Sequence, residues 1–270
     1  MVRRARLDAE LVRRGLARSR EQATELIHAG RVRVGGQTAT KPATAVEPAT
    51  AVLVDVGAAG PAYASRGGHK LAGALDVFAA RGLSPHGKRC LDAGASTGGF
   101  TDVLLRRGAR EVVAVDVGYG QLAWSLRTDA RVTTVDRTNV RSLDPAAIGG
   151  PAELAVADLS FISLRLVLPA LAACIEPRGD LLPMVKPQFE VGRDQLASSG
   201  GGVVRDPALR VRAVLDVAAV AADLGLGVAG VTASPLPGPA GNVEFFLWLR
   251  ADAPLADADA VAAAVAEAPA

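Results

Sequence analysis

The chain has 270 residues, half of them hydrophobic, and a formal net charge of +2. This length predicts one or two domains with a substantial hydrophobic core. The two cysteines, Cys90 and Cys174, and the three histidines share no metal-ligand spacing, which excludes a disulfide framework and a structural zinc ion, so we expect no metal.

The first fifteen residues contain no apolar run, which argues against a secretory signal. Residues 1–50 carry ten basic and five acidic side chains, whereas the remaining residues carry twenty basic and twenty-three acidic ones. Such asymmetry predicts a nucleic-acid-binding part joined to a body of different character.

Two short helices and a hairpin are predicted in this basic part. Leu7 and Leu11 mark the first helix. Ser19, followed three residues later by Gln22, has the pattern of a capping box at the start of the second helix. Alternating valines before the Gly35-Gly36 turn predict the hairpin.

Arginines flank both helices, and guanidinium groups beside a helix amino terminus favour phosphate. Residues 6–42 resemble the small RNA-binding domain shared by a small-subunit ribosomal protein, many pseudouridine synthases and tyrosyl-tRNA synthetases. The resemblance implies binding to structured RNA through its shape and phosphates. A merely solvated charged face is the alternative for any one arginine. The candidate RNA-binding residues are Arg4, Arg6, Arg18, Arg20, Arg31, Lys41, Arg66 and Arg137.

Residues 43–64 are rich in alanine, proline, glycine and valine, and they are predicted to form a linker with a weak strand at 51–56. We therefore predict an RNA-binding domain and linker at 1–60, a large domain at 61–250 and a carboxy-terminal tail at 251–270. The tail is either a helix or disordered.

Strand-like and helical segments alternate after the linker, which predicts an α/β fold with a doubly wound, mostly parallel sheet and ligands at the carboxyl ends of its strands. The loop SPLPGPAGN is too short for a crossover helix, so the last strand is predicted to be antiparallel. The predicted strands are 90–93, 111–116, 132–136, 154–158, 180–186, 228–234 and 243–249, and the predicted helices are 70–81, 99–107, 164–174 and 208–224.

The most apolar stretch, around residues 213–233, contains Asp216 and Asp223. A spanning helix needs about 20 predominantly apolar residues with few or no charges. The sequence therefore predicts a cytoplasmic protein without a membrane partner.

Residues 91–100, with the sequence LDAGASTGGF, combine a strand end, a glycine-rich turn and a helix start. Glycines allow the backbone to approach a ligand closely. The spacing of Gly94, Gly98 and Gly99 does not match the nicotinamide-type fingerprint G-x-G-x-x-G. It resembles the S-adenosylmethionine loop of class I methyltransferases, and a bare tight turn is the alternative.

This resemblance implies S-adenosyl-L-methionine as the cofactor. Asp116 ends the next strand, where a carboxylate can bind both ribose hydroxyls, although it could instead cap the following turn. Asp136, at the end of the third strand, could contact the adenine side. The candidate cofactor-binding residues are Asp92, Gly94, Ser96, Gly98, Gly99, Phe100, Asp116 and Asp136.

Four charged residues are predicted to meet at the cofactor edge of the sheet. Lys70 opens the helix before the first sheet strand, Asp158 and Lys186 end the fourth and fifth strands, and Glu244 starts the antiparallel last strand. An arginine always stays protonated, whereas a lysine can act as a base, and only four of the thirty basic residues are lysines. A solvated rim lysine or a helix-capping aspartate is the alternative for each residue.

This set resembles the Lys-Asp-Lys-Glu tetrad of ribose 2′-O-methyltransferases. Over residues 1–250, with DAGASTGGFT, DVGYGQL, ADLSFISL, VKPQFE and SPLPGPAGNVEFFLW, the chain resembles the hemolysin A (TlyA) family of rRNA 2′-O-methyltransferases. Tyr63-Ala64 departs from the aromatic–valine pair that members tend to carry there. The resemblance implies a Rossmann-like, FtsJ-like class I methyltransferase domain with a seven-stranded mixed sheet behind a small α+β RNA-binding domain.

The resemblance also implies the substrate and the catalytic roles. The partner is ribosomal RNA in ribosomal subunits, and the longer form of the family is associated with cytidines of both subunits. Lys186 is the candidate base, the Lys70 cation favours loss of its proton, and Asp158 and Glu244 orient the two ammonium groups. We expect a monomer or a weak dimer.

The same sequence argues against methylation of a base and leaves several other functions as alternatives. Amino-group methylation usually uses D/N-P-P-Y/F after the fourth strand, where this chain has DLSF, and neither cysteine is placed as a nucleophile for carbon methylation. A non-catalytic RNA-binding or ribosome-assembly protein is the main alternative. A membrane-lytic hemolysin and a nicotinamide-dependent enzyme are less favoured.

Overall fold

The computed structural model describes residues 5–17, 19–47, 50–54, 63–192, 196, 202–238 and 240–269. The chain divides into two compact units, Met1–Ala62 and Tyr63–Ala270. Two candidate RNA-binding residues, Arg4 and Arg18, lie outside the described residues.

The first unit contains the two predicted helices, α1 (Leu7–Arg13) and α2 (Arg20–His28). The Ser19 Oγ accepts a hydrogen bond from the Gln22 amide at 3.1 Å, which confirms the predicted cap of α2. Apolar side chains from both helices and the strands share one core. Its most buried members are Leu7, Leu11, Ala23, Ile27, Val32 and Val46.

The described strands of this unit are β1 (Ala5–Arg6), β2 (Val32–Val34), β3 (Gln37–Thr38), β4 (Ala45–Val46) and β5 (Val52–Val54). β2 and β3 form the predicted hairpin. β4 pairs with β1, and β5 pairs with β2. The prediction of a linker starting at residue 43 is therefore wrong at its beginning. β5 falls within the weak strand predicted at 51–56. β4, which contains the buried Val46, was not predicted, because a strand of two residues leaves too little alternation to be recognised.

The second unit contains one seven-stranded sheet. Its strands are β6 (Arg89–Ala93), β7 (Glu111–Val115), β8 (Val132–Val135), β9 (Ala152–Ala157), β10 (Ile175–Val185), β11 (Gly227–Ala233) and β12 (Phe245–Arg250). The spatial order is β11-β12-β10-β9-β6-β7-β8. β12 runs antiparallel to both of its neighbours, and the other neighbouring pairs are parallel. The predicted mixed α/β sheet is thus confirmed.

Helices cover both faces of this sheet. They are α3 (Gly67–Ala79), α4 (Gly99–Arg106), α5 (Trp124–Arg127), α6 (Leu168–Ala173), α7 (Pro187–Glu190), α8 (Pro207–Asp223) and α9 (Ala258–Ala266). Successive strand residues point to opposite faces. Leu91 therefore packs with apolar residues of α6 and α8, whereas Cys90 packs with those of α3 and α4.

Boundaries around the candidate catalytic residues and in the sixth helix differ from the predictions. α3 begins at Gly67, so Lys70 lies one turn inside this helix. The predicted helix 164–174 is divided into a 3₁₀ turn, Leu164–Leu166, and α6, whose first turn contains Pro169. A proline is favoured there because it lacks an amide N–H. Glu244 directly precedes β12.

The predicted tail after residue 250 contains α9. Val261 and Val265 of this helix are buried in the core cluster that also contains apolar residues of α6 and α8. The structure therefore shows a helix here, and this helix belongs to the second unit's core.

Candidate active site

Charged residues collect where β9 and β10 end and β12 begins. Val185, the last residue of β10, lies opposite Phe245, the first residue of β12. Lys186 and Glu244 adjoin these two residues and are therefore neighbours at one edge of the sheet. Asp158 directly follows β9, the parallel neighbour of β10.

The four candidate catalytic residues form two ion pairs. Lys70 Nζ lies 2.5 Å from Glu244 Oε2, and both side chains are buried. Lys186 Nζ lies 2.6 Å from Asp158 Oδ1 and donates a hydrogen bond to Ser160 Oγ at 3.0 Å. The Asp158 side chain is 25 % exposed, against 2 % for Glu244. The Lys186–Asp158 pair is therefore the more accessible of the two.

The burial of the Lys70–Glu244 ion pair makes both residues important for the stability of the fold. Removing one partner of a buried ion pair leaves the other charge uncompensated, which costs about 3–5 kcal/mol. Lys70 and Glu244 thus depend on each other for stability, so loss of activity in a variant of either residue must be separated from loss of the fold.

The glycine-rich turn packs its backbone against the Asp158 backbone. Gly94 has φ +86°, and a Cβ added there would lie 2.5 Å from the Asp158 carbonyl oxygen. Gly98 has φ +96°, and a Cβ there would lie 2.3 Å from Leu126 Cδ1. Only glycine fits these two positions without displacement. The turn that resembles a cofactor loop is thereby held directly beside the Lys186–Asp158 pair.

Asp92, at the end of β6, is completely buried. Its Oδ2 accepts a hydrogen bond from Thr101 Oγ1 at 2.7 Å, and its Oδ1 has no partner within the described part of the chain. Burial raises the pKa of Asp92 to about 7, and the negative charge of Asp158 acts in the same direction. Asp92 is thus a carboxyl group that changes its charge near neutral pH.

Asp116 and Asp136 both bind backbone amides of nearby turns. Asp116 accepts hydrogen bonds from the amides of Ser96, at 2.8 Å, and Gly118, at 2.7 Å. Asp136 accepts one from the Gly120 amide at 3.1 Å. Asp116 therefore caps its own turn and also ties the glycine-rich turn to the end of β7. A carboxylate has about four lone-pair sites, so both groups retain acceptor capacity.

Gly99 and Phe100, the last candidates of this loop, open α4. The Phe100 side chain is 3 % exposed, and its ring centre lies 6.0 Å from that of Phe246 in the core. Its side chain therefore packs in the core, and its predicted cofactor contact stays a prediction. The strand-turn-helix pattern could not distinguish these roles because both favour an apolar residue in the first helical turn.

Sequence reasoning missed an exposed aromatic residue at this edge. Phe161 is 92 % exposed and has φ +62°, which is unusual for a bulky residue. Its ring centre lies 5.4 Å from that of Phe189, and it follows Ser160, the hydrogen-bond partner of Lys186. The signal available in the sequence was an aromatic residue shortly after a strand-terminal acid.

Glu190, which sequence reasoning also missed, joins the loops that follow β9 and β10. It is buried and accepts hydrogen bonds from Ser163 Oγ, at 2.5 Å, and from the Leu164 amide, at 2.7 Å. Burial raises the pKa of Glu190. Since these loops carry Asp158 and Lys186, Glu190 helps to fix the relative position of the two catalytic candidates.

The described candidates for RNA binding in the first unit differ in their surroundings. Arg6 and Arg20 are 54 % and 60 % exposed, and both pair with the Asp8 carboxylate. Lys41 is exposed, and Arg31 is half-buried.

Two further candidates, Arg66 and Arg137, belong to the second unit and are exposed. Arg66 donates a hydrogen bond to the Pro237 carbonyl at 2.7 Å. Arg137 has φ +55°, and its guanidinium carbon lies 4.4 Å from the centre of the Tyr119 ring. The stacked guanidinium is thus held in place by an aromatic face.

Neither a metal-binding cluster nor a membrane-spanning helix is present among the described residues. These residues contain no cluster of three or more histidine, cysteine or acidic side chains able to hold a metal ion. They also contain no helix that is both long and apolar enough to cross a membrane.

Two family models match the chain. The model of FtsJ-like methyltransferases matches residues 63–251, and the model of the S4 domain matches residues 5–52. The two matched segments fall in the second and the first unit, respectively.

Individual proteins match nearly the whole chain. It is 64 % identical over 250 residues to the 16S/23S rRNA (cytidine-2′-O)-methyltransferase TlyA of Mycobacterium tuberculosis, covering 93 % of this chain and 91 % of that protein. It is 42 % identical over 250 residues to YqxC of Bacillus subtilis, a candidate rRNA methyltransferase, with coverages of 92 % and 86 %. The solved structure of a candidate hemolysin from Streptococcus thermophilus superposes with a TM-score of 0.77 at 39 % identity, covering 99 % of this chain and 96 % of that one.

Proposed function

The chain belongs to the FtsJ-like methyltransferase family and carries an S4 domain, and we propose that it methylates the ribose 2′-hydroxyl of cytidines in 16S and 23S ribosomal RNA with S-adenosyl-L-methionine. The S4 domain contributes affinity for structured RNA. The activity belongs in the cytoplasm, where ribosomal subunits are found.

The Lys186–Asp158 pair beside the glycine-rich turn is the observation that carries this proposal. A ribose hydroxyl is a poor acid, so its attack on a methyl group needs a base held in place. Lys186, in its neutral form, is placed to take the 2′-hydroxyl proton; the cofactor, when bound, would supply the methyl group and keep the electron pair of the broken carbon–sulfur bond as a neutral thioether. Asp158 and Ser160 fix the position of the lysine nitrogen, at 2.6 and 3.0 Å.

The residues around the turn suit S-adenosylmethionine, which supplies a methyl group activated by a positively charged sulfur. Gly94 brings the turn against the Asp158 backbone, and the remaining acceptor capacity of Asp116, which binds the Ser96 and Gly118 amides, suits ribose hydroxyls. Asp92 Oδ1, which has no hydrogen-bond partner among the described residues, lies at the base of this turn. Asp136 is available on the adenine side.

Lys70 and Glu244 form the fixed part of the catalytic edge. Their pair is more deeply buried than the Lys186–Asp158 pair and adjoins it through the register of β10 and β12. We assign them to shaping the electrostatic field around the reacting hydroxyl rather than to proton transfer.

Phe161 offers a surface for the base of the target nucleotide. Enzymes that modify nucleotides extrude the target from its stack and hold the base between aromatic or apolar side chains. An aromatic ring that is 92 % exposed next to Ser160 is placed for such stacking.

The test uses purified full-length protein, labelled S-adenosylmethionine and ribosomal subunits that lack the modification. We expect label on the ribose 2′-oxygen of cytidine, mapped by resistance of the modified linkage to alkaline cleavage. Label on a base would contradict the proposal. Binding of subunits without any transfer would favour the non-catalytic assembly function.

A further inference from the structure

A buried carboxylate in the first unit holds two exposed arginines together. Asp8 lies in α1 and is 3 % exposed. Arg6 donates hydrogen bonds to it through Nε, at 3.1 Å, and through Nη2, at 2.9 Å. Arg20 Nη2 donates to the same Oδ2 atom at 2.9 Å. The two guanidinium groups are therefore adjacent, although Arg6 precedes α1 and Arg20 opens α2.

The position and the charge of Asp8 are both well defined. Its Oδ1 also accepts a hydrogen bond from the Ala9 amide at 2.8 Å. The two hydrogen bonds from Arg6, supported by the one from Arg20, hold the pKa of Asp8 well below its usual range despite its burial. The carboxylate thus stays ionised across the physiological pH range and holds both guanidinium groups in place by hydrogen bonds.

Fixing the arginines in advance matters for binding. Ordering a side chain with many rotamers costs about 0.5–1.5 kcal/mol when a complex forms. Arg6 and Arg20 keep more than half of their side chains exposed while one end of each guanidinium is bonded to Asp8. Part of the ordering is therefore complete before RNA arrives, and both groups remain able to bond a phosphate.

We propose that Asp8 is a positioning residue for RNA, which holds Arg6 and Arg20 as one preformed phosphate-binding pair. The Asp8 carboxylate then raises the affinity for RNA. Coulomb repulsion between this carboxylate and the phosphates would, by itself, lower that affinity. This inference rests on the proposed function, because it takes RNA as the ligand of the first unit.

Glu10 provides a matched control in the same helix. It is 2 % exposed and is bonded by Arg13, at 2.6 Å, and by Arg14, at 2.7 Å. Arg14 Nη1 also donates to the Thr50 carbonyl at 2.8 Å, so this pair secures the fold of the unit. Asp8→Asn and Glu10→Gln therefore make the same change of charge in the same helix with different arginine partners.

The experiment compares full-length wild type with Asp8→Asn, Glu10→Gln, Arg6→Ala/Arg20→Ala and the triple variant that adds Asp8→Asn. Binding to a fluorescein-labelled RNA hairpin of about 16 base pairs is measured by anisotropy at several potassium chloride concentrations. All measurements are made below the lowest thermal unfolding midpoint of the set. We expect Asp8→Asn to weaken binding about 10-fold and to reduce the salt dependence by about one phosphate contact.

Two comparisons separate positioning from a general structural role. Glu10→Gln is expected to bind as tightly as wild type or slightly tighter, and Asp8→Asn is expected to cost nothing further in the background without Arg6 and Arg20. The proposal is overturned by unchanged or tighter binding of Asp8→Asn, by an equal loss in Glu10→Gln, or by a loss that persists in that background. Failure of wild type to bind RNA would instead contradict the proposed function.

Discussion

In the first unit the buried carboxylates Asp8 and Glu10 accept short hydrogen bonds from arginines, whereas in the second unit Asp92 and Glu190 accept theirs from hydroxyl and amide groups. The Arg165 Nε atom lies farther from Glu190 Oε2, at 3.5 Å, and its side chain is 43 % exposed. The arginines lower the pKa of the first two, that of Glu10 to about 2, and burial raises the pKa of the other two. Full pairing keeps a buried acid charged, and incomplete pairing leaves its charge sensitive to its surroundings.

The basic residues that pair with carboxylates also differ between the first unit and the catalytic edge. The buried carboxylates of the first unit pair with arginines. The carboxylates of the catalytic edge pair with lysines, Glu244 with Lys70 and Asp158 with Lys186. A guanidinium suits lasting recognition of phosphate because it never loses its proton, whereas an ammonium can. Under the proposed function, the first unit is suited to binding phosphate and the edge with the two lysines is suited to proton transfer.

Lys186→Arg tests this comparison most severely. The guanidinium retains the charge opposite Asp158 but cannot take a proton, so we expect methyl transfer to fall about 10²- to 10⁴-fold. Lys88→Arg is the matched control, because Lys88 Nζ pairs with Asp180 at 2.6 Å at the opposite end of the sheet, before β6. Single-turnover transfer of labelled methyl groups measures both. Full transfer by Lys186→Arg would rule out the base.

Asp92 gives the second unit a pH dependence opposite in sign to the one that the lowered pKa values of Asp8 and Glu10 give the first unit at acid pH. The folded state holds the Asp92 proton up to about pH 7, whereas the unfolded state releases it near its ordinary pKa. The free energy of unfolding should therefore fall as pH rises, by on the order of 3 kcal/mol between about pH 5 and pH 8 from this group.

Asp92→Asn should remove this part of the pH dependence. Urea unfolding followed by tryptophan fluorescence reports on the second unit, because the two tryptophans, Trp124 and Trp248, both lie there. The same pH dependence in wild type and Asp92→Asn would mean that Asp92 is ionised throughout.

Glu190→Gln tests whether the two catalytic loops need a carboxylate between them. The amide turns one acceptor into a donor, which leaves Ser163 Oγ or the Leu164 amide without its partner at a cost of about 1–3 kcal/mol. We expect kcat to fall about 10-fold with little change in KM. Glu176→Gln, at an exposed position of β10, is the control. A change confined to KM would place Glu190 in substrate binding instead.

The smallest expected effect concerns the cap of α2. Ser19→Ala removes the bond to the Gln22 amide and should destabilise the first unit by about 1 kcal/mol. Hydrogen exchange of the α2 amides measures this loss, while tryptophan fluorescence should show an unchanged second unit. An equal loss of stability in both would mean that the two units unfold together.

Much of the framework was predictable because it depends on local pattern. Strand ends in the second unit fall within a few residues of their predicted positions, except for the early start of β10 at Ile175. Turn glycines and alternating apolar residues are local signals. They also place Asp158 and Lys186 at strand ends, and the short loop before Glu244 predicts the antiparallel β12 at the same edge.

Which groups pair with each other was decided only by the tertiary structure. Lys88 had no predicted role, yet it bonds the buried Asp180, which also accepts a hydrogen bond from Trp248 Nε1 at 2.8 Å. The sequence pattern also did not predict that Glu190 joins the loops after β9 and β10, or that the Phe100 side chain is buried. Sequence spacing determines where a residue lies along its own element, whereas its partners and burial depend on residues far away in the chain. The sequence alone therefore determined that the four candidate catalytic residues lie at one edge of the sheet, and packing determined which lysine meets which acid.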